Sequence, residues 1–152
     1  MRFFLHILIA LLITSCSAHM PESPNFDPPY VEYQITGKVI DSLTKEPVKG
    51  IMILHYETYI NYQTQEVDMI DKVVNSTQVE DNGTFSISGI LNNDNYQYVY
   101  LKCEDINKHE DGSYLPKFTL VTLAPEEVTS REVQGYQGKF TSEVTIEISS
   151  TY

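Results

Sequence analysis

Apolar and polar residues alternate along most of the chain after residue 30, the repeat of a strand with one buried face. Tyr33, Ile35, Gly37 and Val39 alternate with Gln34, Thr36 and Lys38, which predicts a half-buried strand over 33–39. Asp41 to Pro47 follows as a turn, since Asp, Ser, Thr and Pro each favour turns for a local reason. Val48 to Tyr56 then carries apolar residues on both faces, Ile51 and Ile53 against Met52 and Leu54, and reads as a central strand. These two strands and their turn are the unit around which the later strands are laid.

Residues 58–69 are polar and bear tyrosines, and fit either an extension of a hairpin or a long loop. A weaker strand over 72–79 carries Val73 and Val79, and Glu80-Asp81-Asn82-Gly83 is a turn in which Asn-Gly favours positive φ. In 84–90, Phe85 and Ile87 face inward and Thr84, Ser86 and Ser88 outward; in 96–104, Val99, Leu101 and Cys103 face inward. Strands over 118–123 and 140–149, the last with Val144, Ile146 and Ile148 on one face, bring the number to seven. Seven short strands without a helical period predict an all-β fold, a seven-stranded antiparallel sandwich of two sheets spanning 31–152.

The first 30 residues have a different character. Met1-Arg2 is a positive start, Phe3 to Ile13 an apolar run, and Ile13-Thr14-Ser15-Cys16 a small-residue end. The run is too short to span a bilayer, which takes about 20 residues, so residues 1–15 read as a signal peptide. The aliphatic, small, small, cysteine order resembles the lipobox of bacterial lipoproteins. That resemblance implies cleavage before Cys16 and lipidation of Cys16, and several acyl chains on one residue anchor stably where one would not. The alternative is an ordinary secretory signal cleaved near Ala18. Residue 17 is Ser rather than Asp, which favours the outer membrane over retention at the inner one; the face of the outer membrane stays open. Residues 16–30 carry four prolines before Tyr30 and form an extended tether of up to roughly 40 Å at the rise of polyproline.

Charge narrows the partners. The chain of 152 residues has 21 acidic and 10 basic side chains, net −11; loss of Arg2 with the leader leaves 9 basic residues and a net charge of −12. Such a charge argues against binding nucleic acid or anionic lipid headgroups through a basic patch. The two cysteines, Cys16 and Cys103, serve different purposes, so no disulfide is expected. Cys103 reads as a buried free thiol behaving as a small hydrophobe.

Candidate chemistry is sparse. Asp105, Asn107, Glu110 and Asp111 place four oxygen-bearing side chains close together, and Ca²⁺ takes six to eight oxygens. The spacing is not that of an EF-hand, and a solvated acidic loop is the better reading; His109 lies within it. His55, alone on the central strand, reads as packed or hydrogen-bonded. There is no G-x-S-x-G, H-E-x-x-H, C-x-x-C or phosphate loop. Asp41-Ser42-Leu43 matches a short O-glycosylation pattern of exported Bacteroidota proteins, which would modify Ser42; Asp41 capping a backbone amide is the alternative.

Two resemblances extend this reading. Gly37-Lys38-Val39-Ile40-Asp41, Glu46-Pro47-Val48-Lys49-Gly50-Ile51 and Thr77 with Asp81-Asn82-Gly83-Thr84-Phe85-Ser86-Ile87 resemble the carboxypeptidase regulatory-like family, over about residues 33–90. That likeness implies a transthyretin-like sandwich without catalytic activity, with Gly37 and Pro47 shaping a first hairpin. The lipobox, tether, sandwich and acidic stretch Glu104 to Tyr114 together are similar to a family of small Bacteroidota lipoproteins associated with radical SAM enzymes. The expectation is therefore a non-enzymatic outer-membrane lipoprotein without a required cofactor. It would be held to the membrane through Cys16 and act as an interaction module for an envelope protein or glycan. The alternative is a substrate or maturation partner of a neighbouring radical SAM enzyme, and a hydrolase built on paired carboxylates is a third. Tyr56, Tyr59, Tyr62, Tyr98 and Tyr100 are candidate contact residues, tyrosine being enriched at interfaces, with packing on the sheet surface as the alternative.

Overall fold

A computed structural model describes residues 29–92, 97–106, 113–126 and 135–151. The leader, Cys16 and nearly all of the tether lie outside these residues. The described residues form eight strands: β1 (Tyr30–Asp41), β2 (Ile51–Asn61), β3 (Glu66–Gln78), β4 (Thr84–Leu91), β5 (Tyr98–Asp105), β6 (Lys117–Thr122), β7 (Ala124–Pro125) and β8 (Tyr136–Ile148). They make two four-stranded sheets, ordered β4-β1-β8-β7 and β3-β2-β5-β6. The all-β sandwich expected from the alternation is the fold. The eighth strand is β7, two residues that pair with β8 at Ala124↔Thr141 and Pro125↔Phe140 and are too short to show a period.

Two features depart from the expected arrangement. The pairings are antiparallel except between β1 and β8, which run parallel from Tyr30↔Tyr136 to Asp41↔Ile148. A period of two is the same in either direction, so it carries no sign of strand polarity. The second concerns the turn at Asp41 to Pro47, which does not close a hairpin: β1 and β2 belong to different sheets, and the turn carries the chain across the sandwich. Both strands have a strongly apolar inner face, and stacking those faces buries both, which edge-to-edge pairing would not. Val48 donates its amide to the Val39 carbonyl, Gly50 takes φ 73°, and β2 begins only at Ile51. Residues 58–69 are the hairpin extension rather than a loop. Pairing of β2 with β3 continues from Thr58↔Met69 to Asn61↔Glu66, and Gln65 takes the left-handed φ of 60° needed to close it.

The core lies between the inner faces. Val31, Ile35, Val39, Phe85, Ile87, Ile146 and Ile148 of one sheet meet Ile51, Ile53, Val99, Leu101, Cys103 and Val121 of the other. Two inner positions of the first sheet are glycines, each opposite an aromatic residue. Gly37 pairs with Phe85, and a Cβ there would lie 2.8 Å from the Phe85 ring and closer still to the Val144 carbonyl oxygen. Gly89 pairs with Tyr33, where a Cβ would lie 2.9 Å from the ring. The glycines leave room for each ring to lie over its neighbour strand. For Tyr33 this sets the direction of the hydroxyl.

Candidate functional site

Tyr33 reaches from β1 into the opposite sheet, where its hydroxyl oxygen lies 2.7 Å from Nδ1 of His55 on β2. The rings meet edge to face, with centroids 5.1 Å apart and an interplanar angle of 78°. His55 sits just before a bulge that shifts the β2–β3 register between His55 and Tyr56. The bulge leaves His55 inward and 1% exposed, while Tyr56 turns to the outer side. Across the ladder, Asn75 of β3 donates its amide to the Ser88 carbonyl of β4 at 2.6 Å. Two side-chain hydrogen bonds thus cross between the sheets here, Tyr33 to His55 and Asn75 to Ser88.

Burial sets the protonation of the pair. It pushes the His55 imidazolium down to about 4 and the Tyr33 phenol up, the latter partly offset by the neighbouring Asn75 amide. At neutral pH the imidazole is uncharged and Tyr33 keeps its proton. The other ring nitrogen, Nε2, is buried and has no hydrogen-bond partner among the described residues. The ring borders a pocket of about 110 Å³ between β2, β3 and β4, with Val74, Ile90 and Leu91 as its apolar lining. Thr58, Asn92, Glu57 and Lys72 complete it, the last two paired at 2.7 Å and more exposed than the histidine. This junction was not visible in the sequence as a site. The usable signals were an inward-facing histidine and the glycine opposite Tyr33.

The predicted site residues fare differently. Asp41 caps its own turn: one carboxylate oxygen accepts from the Thr44 and Leu43 amides, both at 2.8 Å, which holds the carboxyl below its usual range. Ser42 lies in that turn, half-buried, with its hydroxyl 3.0 Å from that of Ser149 and its amide donated to the Ile148 carbonyl. Of the acidic group, Asp105 ends β5 and accepts the Tyr114 amide at 3.2 Å; Asn107, Glu110 and Asp111, like His109 and Cys16, lie outside the described residues. No three His, Cys, Asp or Glu side chains converge among the described residues. Cys103 is a buried free thiol, pushed by burial up to about 12 and therefore unreactive at neutral pH.

The outer sheet surfaces are unlike one another. On the β3-β2-β5-β6 sheet, the register aligns Val73, Tyr56, Tyr100 and Leu120 in one row across all four strands. Leu54, Lys102 and Phe118 form the next. Phe118 is 44% and Leu120 41% exposed. Tyr56 does not project as the sequence suggested. It is buried on this face beside Phe118, ring centroids 6.0 Å apart, with Lys102 Nζ 5.7 Å from the Phe118 ring. Tyr59 and Tyr62 are exposed on the hairpin extension, and Tyr98 and Tyr100 are half-buried.

No family model and no curated protein matches the chain. Among solved structures, it is similar to the pilus 2b backbone protein of group B streptococcus, at 16% identity and TM-score 0.44 over 77% of this chain and 40% of that one. It is also similar to a minor pilin of Streptococcus agalactiae, at 17% and 0.40 over 82% and 46%, and to 3-chlorocatechol 1,2-dioxygenase of Rhodococcus opacus, at 10% and 0.48 over 87% and 64%. This chain therefore spans less than two thirds of each of those three. At such identities the likeness concerns the β-sandwich and nothing of its chemistry.

Proposed function

We propose that this protein is a non-catalytic, lipid-anchored β-sandwich of the outer membrane that docks an envelope protein or glycan on the outer face of its β3-β2-β5-β6 sheet. The observation that carries the reading is the row Val73, Tyr56, Tyr100 and Leu120, flanked by Phe118 and Leu54, on a strongly acidic chain. Contiguous apolar surface that is not needed for the core marks interaction sites, and aromatic side chains are enriched there. The lipobox-like Ile13-Thr14-Ser15-Cys16 and the proline-bearing tether support anchoring, and the resemblances to regulatory-like domains and Bacteroidota lipoproteins support an accessory role.

The test has two arms on protein isolated from its native envelope. Intact mass should give a chain that begins at Cys16 and carries diacylglycerol and acyl groups, and Cys16→Ala should abolish both features. A photo-cross-linking residue at position 118 should form one discrete adduct, whereas the same probe at position 86 on the opposite outer face should form none. A chain beginning after Ala18 without lipid refutes the anchor. Equal labelling from positions 118 and 86 refutes the docking face.

A further inference from the structure

A sheet ends in backbone groups that no neighbouring strand satisfies, and an edge left open invites another strand. Among the described residues, β4 and β7 end one sheet and β3 and β6 the other. All but β6 are blunted. β3 carries Glu66, Asp68, Asp71 and Lys72 and slips register against β2 at His55/Tyr56 and again at Tyr56/Thr58. On β4 the Ser88 carbonyl is already taken by the Asn75 amide at 2.6 Å. β7 has only two residues, and Pro125 is one of them, without an N–H to offer. β6 has none of these devices: Lys117 to Thr122 pairs with β5 in an unbroken register, lacks proline and carries its one charge at its first residue.

The register fixes which groups of β6 are open. Leu123 donates its amide to the Gln97 carbonyl opposite it at 2.7 Å, and in an antiparallel pair such bonded positions alternate with unbonded ones. Lys117, Thr119 and Val121 therefore bond β5. The N–H and C=O of Phe118, Leu120 and Thr122 point the other way, with no strand beyond them among the described residues. These same residues are exposed, so the open edge is accessible.

A second copy of the strand answers these groups. Antiparallel pairing about a two-fold axis at Leu120 sets Leu120 against Leu120, Phe118 against Thr122 and Thr119 against Val121, so each outward N–H meets an outward C=O. Lys117 then lies opposite Leu123, and no like charges face one another. The neighbouring registers fail. An axis at Thr119 would set Thr122 against Pro116, which has no N–H, and an axis at Val121 would set Phe118 against Ala124, which belongs to the other sheet. We infer that this protein forms a two-fold dimer by antiparallel pairing of β6 with β6 of a second copy, which joins their β3-β2-β5-β6 sheets into one. The dimer uses the backbone edge and stands whatever lies over the outer face. A pairing this short buries less than a standard interface, so association depends on concentration.

The test uses purified full-length protein in detergent micelles, with no other protein present, and reads the protein mass per particle by light scattering from micromolar to millimolar concentration. The expected result is a rise from one chain to two. Thr122→Pro removes an outward N–H without touching a bond to β5 or the row that ends at Leu120, and should weaken association at least tenfold. Leu120→Lys opposes like charges at the axis, about 5.5 Å apart between Cα atoms, and gives the same comparison if Thr122→Pro fails to fold. Ile70→Lys on the β3 edge should leave association unchanged. Mild oxidation should link Leu120→Cys chains in pairs but not Phe118→Cys chains, whose sites are offset across the axis. A single chain per particle throughout overturns the inference, as does association undiminished in both Thr122→Pro and Leu120→Lys. It is also overturned if Ile70→Lys weakens association as much, or if Phe118→Cys links as readily as Leu120→Cys. A probe at position 118 that labels another molecule in the native envelope, while the purified protein stays single, refutes this dimer alone and leaves the docking face standing.

Discussion

The two outer faces of the sandwich obey the same alternation and end up with opposite character. On the β4-β1-β8-β7 sheet the outward positions are Gln34, Thr36 and Lys38 of β1, Thr84, Ser86 and Ser88 of β4, and Glu143, Thr145 and Glu147 of β8. That surface is what a solvated sheet requires, with Ile90, 64% exposed, its main apolar exception. On the β3-β2-β5-β6 sheet the outward positions include Leu54, Tyr56, Tyr100, Phe118 and Leu120, with the Lys102–Glu104 pair among them. Both sheets have a core on their inner side, and on the second sheet Tyr56 packs beside Phe118 on the outer side as well.

That comparison can be broken first through the polar sheet, which depends on the close approach at Gly37. Gly37→Val would drive a branched side chain into the Phe85 ring and the Val144 carbonyl, and should destabilise by about 3 kcal/mol, the upper range for overpacking. Urea denaturation should show a lower midpoint with an unchanged slope. A loss below about 1 kcal/mol would mean that β1 and β8 yield easily.

Acid should next loosen the join between the sheets. The His55 imidazolium lies at about 4 in the fold against 6.5 for a free histidine, so between these values the unfolded chain binds more protons than the folded one. Stability is full above pH 6.5, falls as pH drops towards 4 and levels off below, by up to about 3 kcal/mol for this one group. The double variant Tyr33→Phe/His55→Leu removes both partners together and should flatten this part of the stability profile. A persisting slope would assign it to carboxylates instead.

Smaller effects sharpen the contrast between the faces. Leu120→Thr should change stability by about 1 kcal/mol or less, since the side chain is two-fifths exposed, yet abolish the cross-link formed by the probe at position 118. Thr36→Asn with Ser86→Asn on the opposite face should alter neither. Cys103, in the core of β5, should resist iodoacetamide at pH 8 until denaturant opens the sandwich, because burial and a thiol pushed up to about 12 both suppress thiolate. Alkylation at the rate of free cysteine in native buffer would contradict the packing. The smallest effect belongs to Lys45→Ala, which removes an exposed pair with Glu147 at 2.9 Å and should cost below about 1 kcal/mol.

The sequence by itself determined the strands and their inward faces. Phe85 and Ile87, Val99, Leu101 and Cys103, and Ile146 and Ile148 are buried as their alternation requires, because a strand has only two faces and water selects between them. It also determined the Asp41 cap, a contact that spans three residues and needs no tertiary partner. Tertiary structure decided what depends on which strands become neighbours. The parallel β1–β8 pair, the crossing at Asp41 to Pro47 and the burial of Tyr56 beside Phe118 arise from contacts far apart in the chain. The Tyr33–His55 and Asn75–Ser88 hydrogen bonds are the clearest case. Their four residues come from four strands, and only the glycine opposite Tyr33 and a bulge of one residue beside His55 bring their polar atoms into reach. Local pattern fixes which way a side chain points, whereas the group it meets there is set by strand order and register, which local pattern does not encode.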